Sequence, residues 1–272
     1  MKQDNNLLKK LKDKRLFLFD IDGVIKVGDT LIDGALDLVK YIDQIGGKSI
    51  FITNNSTKNC LTYVDSFKKY GFDVDESNFE TALSVSARYL EEHHLKDKIF
   101  VMGTKSLIEE LISRGLNVTT KVEQNIDVVL VAYDNELTYQ KLSDACEILQ
   151  TQQVTYLATN LDLRCPIDFG FVPDCGSMVD MIKTTTGKQP RFLGKPASEM
   201  VDQCLRTTNY TKEQTIVIGD RLYTDIAAGV NAGVDTCVVF TGEVQPADLQ
   251  SCEYNIPYIF DNVRQLLNAL KD

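Results

Sequence analysis

The chain has no excess of basic residues. Lysine and arginine number 29 against 39 aspartates and glutamates in 272 residues, for a net charge of −10. A protein that tracks a nucleic-acid backbone needs a basic stripe, and one that rides an anionic membrane needs basic clusters, so neither partner is expected. A small anionic substrate stays open, because a bound metal and one lysine reverse a local field. No apolar run approaches the length of a membrane span. Residues 1–15 are polar and lysine-rich where a signal peptide would be apolar. The seven cysteines are odd in number and form no CxxC pair. That argues against a zinc site or a disulfide framework and for a reducing compartment. A cytoplasmic location is expected, and the Asn-x-Ser/Thr triplets at Asn54, Asn117 and Asn209 then carry no glycan.

Other signatures are missing as well. No GxGxxG occurs, and Met102-Gly103-Thr104-Lys105-Ser106 looks like the tail of a P-loop without its earlier glycine. There is no low-complexity segment, no short repeat and no Pro/Ser-rich linker. The Lys9–Arg15 cluster reads as a solvated arm. The adjacent His93 and His94 read as exposed residues at a helix end.

What is present is ordinary globular material, 43% hydrophobic and 25% charged, in which strand and helix patterns alternate throughout. Strands are expected at 16–19, 49–53, 99–102, 127–132, 155–158, 192–195, 215–220 and 236–240. Helices are expected at 34–45, 58–70, 81–94, 106–113, 138–150, 176–184, from Pro196 onward, and at 225–231. Residues 165–175, with Pro166, Gly170 and Pro173, are expected to be irregular. The implied fold class is α/β: a Rossmann-like doubly wound parallel core, residues 1–80 and 187–272, with a second, inserted α/β cap domain at 81–186.

The chemistry-bearing residues sit at strand ends, where open α/β sheets bind ligands. The apolar run Leu16-Phe17-Leu18-Phe19 ends in Asp20-Ile21-Asp22-Gly23. Two acids so close are costly unless a cation or a reaction needs them. A second strand end carries Thr53-Asn54-Asn55-Ser56, a third Gly194-Lys195-Pro196, and a fourth Gly219-Asp220 with Asp225 following. Each alone has a plainer reading as a turn residue, an exposed lysine or a helix cap. Four in this order, each behind a β-like run, form a strong signal.

This set resembles the haloacid dehalogenase superfamily of phosphohydrolases. Its order is similar to the type IIA branch, which carries a large α/β cap between the second and third motifs and holds the nitrophenylphosphatase and nucleotide- or sugar-phosphatase-like enzymes. The Gly219-Asp220-Arg221-Leu222-Tyr223-Thr224-Asp225-Ile226 and Ala158-Thr159-Asn160 runs share in the likeness. One departure is Lys26, where that branch usually has an aromatic residue.

The resemblance implies a Mg²⁺-dependent phosphatase for small phosphate monoesters: nucleotide, sugar, glycerol or pyridoxal phosphates. Asp20 would be the nucleophile and Asp22 the general acid and base, the proton donor that an alkoxide leaving group requires. Asp20, Asp220 and the Asp22 backbone carbonyl would bind the metal, with Asp225 behind them. Thr53, Asn54 and Lys195 would hold phosphate, and Lys195 would also balance charge. Asn160, Asp162 and Arg164, just beyond a cap strand, are candidate specificity residues, and Arg164 suits a second anionic group. The expected partner is a small phosphorylated metabolite, with a homodimer conceivable from the resemblance. The alternatives are a phosphomutase, or a phospho-accepting signalling or binding domain without turnover.

Overall fold

A computed structural model describes residues 5–167 and 169–272. Fifteen strands occur among them. They are β1 Leu16–Phe19, β2 Lys26–Val27, β3 Thr30–Leu31, β4 Lys48–Thr53, β5 Phe79–Thr81, β6 Lys98–Met102, β7 Asn117–Thr119 and β8 Val128–Val131, then β9 Thr155–Ala158, β10 Arg164–Ile167, β11 Gly170–Pro173, β12 Arg191–Phe192, β13 Thr215–Gly219, β14 Asp235–Val239 and β15 Tyr258–Phe260. The chain divides into two compact units. One holds the residues up to Thr53, Tyr63–Glu80 and Pro196–Asp272; the other holds Asn54–Thr62 and Thr81–Lys195.

The first unit is built on a six-stranded sheet in the order β15-β14-β13-β1-β4-β5. Counted along the chain, that is the doubly wound dinucleotide-fold order, and it reverses between β1 and β13. These two strands pair in parallel, Leu16 with Thr215 through Phe19 with Ile218. Every residue of β1 and β13 is buried, as a strand covered on both faces requires. An aromatic cluster packs beside them: the Phe51 ring lies 4.6 Å from Phe67 and 5.2 Å from Phe79.

The basic N-terminal segment is not the solvated arm expected from its composition, although residues 1–4 lie outside the described part. Residues Asn5–Lys12 form a helix. Leu11 is fully buried. The buried Lys14 ammonium lies 2.7 Å from Asp235 and donates to the Glu213 carbonyl at 2.6 Å. An apolar stripe among the lysines docks the helix while their charged heads stay outside.

The second unit is built on a five-stranded sheet, β12-β9-β8-β6-β7, parallel in every pair. That is the flavodoxin-like order, with its own reversal between β6 and β8. Phe100, Val129, Val131, Ile148, Met178 and Ile182 are among the residues of its core. Here the segment before Lys195 departs from expectation. Arg191 and Phe192 pair with Leu157 and Ala158, and Leu193 and Gly194 extend the same ladder. The second unit therefore ends at Lys195, past the expected boundary at 186. The helix expected from Pro196 begins at Glu199. Residues expected to be irregular instead form a hairpin of β10 with β11, registered from Arg164–Pro173 to Ile167–Gly170. An isolated two-stranded ribbon tolerates Pro166 and Pro173 because its outer edges need no ladder donors.

Candidate active site

The reversal between β1 and β13 places two carboxylates side by side. Asp20 follows β1, and its N–H donates to the Ile218 carbonyl at 2.9 Å, extending the ladder by one step. Asp220 follows β13. Asp225 returns from the single π-type turn Leu222–Ile226. Ligand oxygens of Asp20, Asp220 and Asp225 all lie within 4.8 Å of one another, and the three side chains are largely or wholly buried. Three carboxylates gathered this way repel unless a cation joins them. Hard oxygen donors of this kind suit a divalent metal of the magnesium or calcium type.

Neighbouring backbone fixes this geometry. The Asp220 carboxylate accepts from the Glu243 N–H at 2.7 Å, and its carbonyl accepts from Val244 at 2.9 Å. Asp225 accepts from the Arg221 N–H at 3.1 Å. Glycines make the room. A Cβ on Gly23 would sit 2.7 Å from the Asp220 carboxyl, and Gly23 also has φ +98°, which only glycine adopts readily. A Cβ on Gly242 would fall within the Asp220 carboxyl, and one on Gly219 would overlap Asp225. The Thr241 hydroxyl donates to the Gly23 carbonyl, tying the two glycine turns together.

Asp22 lies one residue beyond the trio and is partly exposed. Its carboxylate is held at 2.7 Å by Lys26, which also donates to the Gly28 carbonyl at 3.0 Å. Lys26 starts the short β2–β3 hairpin. Burial disfavours the Lys26 ammonium, but the charge and hydrogen bond of Asp22 outweigh it and hold its pKa above the usual lysine value. Thr53 is buried at the end of β4, the strand beside β1.

The remaining expected residues belong to the second unit. Lys195 is 2% exposed. Its main chain is clamped by one side chain: the Lys195 N–H donates to Asn54 Oδ1 at 2.8 Å, and the Asn54 amide nitrogen donates to the Lys195 carbonyl at 3.0 Å. Asn160 and Asp162 are buried at 0% and 2% exposure and bond to protein groups. Arg164 is exposed, its guanidinium 4.4 Å from the Phe171 ring centroid. His93 is exposed as expected, whereas His94 is partly buried with Nδ1 2.7 Å from Asp97.

The sequence reading missed the loop 241–244. Its local signals are Gly242, two residues beyond an apolar strand-like run, and Glu243, whose carboxylate lies 3.3 Å from the Arg221 guanidinium.

The doubly wound sheet with carboxylates clustered at its reversal fits a phosphoric monoester hydrolase, the class to which the similar proteins belong by name. The chain belongs to the haloacid dehalogenase-like hydrolase family. That family's model matches residues 17–117, and an HAD-hydrolase-like model matches residues 192–266. An acid sugar phosphatase of Staphylococcus epidermidis is 29% identical over 96% of this chain and 100% of its own length. The solved 4-nitrophenylphosphatase of Thermotoga maritima is 32% identical with a TM-score of 0.89, covering 96% of this chain and 99% of that one. A glycerol phosphate phosphatase of Mycobacterium tuberculosis, solved with calcium, is 25% identical with a TM-score of 0.85, covering 94% and 76%.

Proposed function

We propose that the protein is a Mg²⁺-dependent phosphatase that hydrolyses small phosphate monoesters through an aspartyl-phosphate on Asp20. The observation that carries this reading is the trio of Asp20, Asp220 and Asp225 with Asp22 beside it. Asp20, Asp220 and the Asp22 carbonyl would hold magnesium, with Asp225 in support, and the ion would supply the charge neutralisation that lets a carboxylate approach a phosphate dianion.

An Asp20 oxygen attacks phosphorus, and the P–O bond to the alcohol breaks. Asp22 gives its proton to the departing oxygen, because an alkoxide leaves poorly. Water then attacks phosphorus of the acyl phosphate while Asp22 takes back a proton. Inorganic phosphate leaves and Asp20 is restored. In this reading Thr53 and the Asn54 backbone bind phosphate oxygens, and Lys195 balances their charge. The Lys26 contact holds the Asp22 side chain close to the segment that carries the nucleophile.

Sugar and glycerol phosphates are the first substrates to test, since similar proteins carry those names; nucleotide and pyridoxal phosphates follow. Arg164, exposed on its hairpin, is the residue proposed to meet a second anionic group. A cytoplasmic setting is part of the reading. All seven cysteines remain thiols, and among the described residues no helix is long and apolar enough to cross a membrane.

The test is phosphate release from a panel of monoesters, with Mg²⁺ and with EDTA. Turnover that needs Mg²⁺ and disappears in Asp20→Asn is the expected result. Stoichiometric labelling of Asp20 without turnover of any ester would point instead to a phospho-accepting domain.

A further inference from the structure

We propose that Asp162 is a positioning residue for Lys195, acting through the side chain of Asn54, and that this replaces the substrate-facing role its sequence position suggested. The inference rests on the hydrolase reading above, in which Lys195 neutralises the phosphoryl group.

The argument starts from the Asn54 amide. Its oxygen accepts from the Lys195 N–H at 2.8 Å. Its nitrogen donates to the Lys195 carbonyl at 3.0 Å and to Asp162 Oδ2 at 2.7 Å. An amide can be turned end for end, and only its surroundings decide which way it sits. Turned the other way, Asn54 would aim N–H groups at the Lys195 N–H and an oxygen at both a carbonyl and a carboxylate. A carboxylate accepts and does not donate. Asp162 therefore reinforces, with an acceptor that cannot donate, the orientation in which Asn54 grips both main-chain groups of Lys195.

Asp162 is itself held. Asn160 donates to Asp162 Oδ2 at 3.1 Å and to Asp174 Oδ1 at 3.0 Å. The Thr159 hydroxyl donates to Asn160 Oδ1 at 2.9 Å. Asp174 caps the helix Cys175–Thr186, and the Gly176 N–H of that helix donates to the Asp162 carbonyl at 2.8 Å. A Cβ at Gly194 would stand 2.6 Å from both the Thr159 carbonyl and Asn54 Oδ1, so the residue before Lys195 must be glycine for the clamp to close. All of these groups are buried. A buried network with every member bonded fixes one arrangement. Asp174 ties the network to the helix Cys175–Thr186 and Thr159 ties it to Ser56, while Asn54 grips both the N–H and the carbonyl of Lys195, and that double grip points to positioning of the lysine.

A double-mutant cycle separates positioning from plain structural support. Phosphate release is measured for wild type, Asp162→Asn, Lys195→Ala and the double variant, with melting temperatures alongside. Asp162→Asn keeps the volume and removes the acceptor-only character. We expect kcat to fall about 10- to 100-fold, and the double variant to be no slower than Lys195→Ala by more than about twofold. Should Asp162→Asn not fold, Asn54→Ala takes its place, since it removes the clamp and leaves the Asn54 backbone intact. A wild-type rate in the single variant, or independent multiplicative losses in the double, would overturn the inference while leaving the hydrolase reading intact. A wild-type chain that releases no phosphate from any ester would overturn both.

Discussion

The two units of this chain are parallel α/β sheets that reverse their strand order at one point, and they treat that point in opposite ways. In the second unit the reversal lies between β6 and β8, and Lys141 closes it. The Lys141 ammonium donates to the Gly103 carbonyl at 3.0 Å and sits 2.7 Å from Asp134, whose side chain is fully buried. Among the described residues, four helices lying wholly within that unit begin on a side-chain cap, from Thr81, Thr104, Thr138 and Asp174. In the first unit the reversal gathers three carboxylates. Three helices there begin at Gly34, Ser198 and Ile226 with no side-chain cap bond, while Asn262 caps the helix Val263–Lys271. The topology gives both sheets a crevice. In the proposed reading, chemistry falls to the crevice whose local charge is left for a ligand to complete, and the fold closes off the charge in the other.

The largest effect should come from removing charge at the first reversal. Asp20→Asn is expected to lower phosphate release by about 10⁴-fold or more, the scale of losing a nucleophile. The same substitution relieves carboxylate repulsion, so the EDTA-treated variant should melt about 2–4 °C above the EDTA-treated wild type. Activity and stability moving in opposite directions would mark a functional cluster; both falling together would mark a structural one.

Gly242→Ala leaves every charge in place and disturbs only the cradle of Asp220. The methyl group collides with the carboxylate, which must turn away. An activity loss of about 10- to 100-fold, partly recovered by raising Mg²⁺, is expected from titrating the metal in steady-state assays. Loss with no Mg²⁺ dependence would place the cradle outside metal binding.

Lys141→Met is the matching change at the second reversal. It strips a buried carboxylate of its cation. The lysine is 30% exposed, so the cost should be about 2 kcal/mol, below that of breaking a fully buried pair. Urea unfolding should show that loss, while kcat of the folded variant stays near wild type.

Most of this contrast was legible in the sequence for one reason: a buried parallel strand is a near-continuous apolar run, so an acid at its end stands out. Asp20 and Asp220 were visible on those terms, and Asp225 through the motif it shares with Asp220 five residues earlier. Features built from backbone geometry were not. The loop 241–244 meets Asp220 through N–H groups and the bare Cα of Gly242, and a lone glycine after a strand reads as an ordinary turn residue. The β10–β11 hairpin was hidden because its prolines argue against strands in general, though they are harmless in a two-stranded ribbon. The burial of Asn160 and Asp162 was hidden because a polar pair after a strand reads alike whether it faces solvent or another amide. The helix Val263–Lys271, with Val263, Leu266, Leu267 and Leu270 buried, carries a plain helical spacing and falls beyond the last motif.

The smallest effect tests whether charge away from the two reversals behaves alike in both units. In the first, Arg264 reaches Asp33 at 2.9 Å and Asp37 at 2.7 Å; in the second, Arg114 reaches Glu110 at 2.9 Å. The hydrogen bond from Arg264 holds the Asp33 carboxyl below its usual range, although the group lies in solvent. A carboxylate whose folded pKa is depressed adds stability that is present above its unfolded value near 3.8 and is lost as pH falls through the folded value. Solvent screening keeps that contribution small. Arg264→Gln should therefore lower the melting temperature by about 1 °C at pH 7, with the difference closing toward pH 3 and in high salt. Arg114→Gln should cost a similar amount at pH 7. A loss several times larger for either one would mean that surface charge, too, is organised differently in the two units, and the contrast would no longer be confined to the points where their sheets reverse.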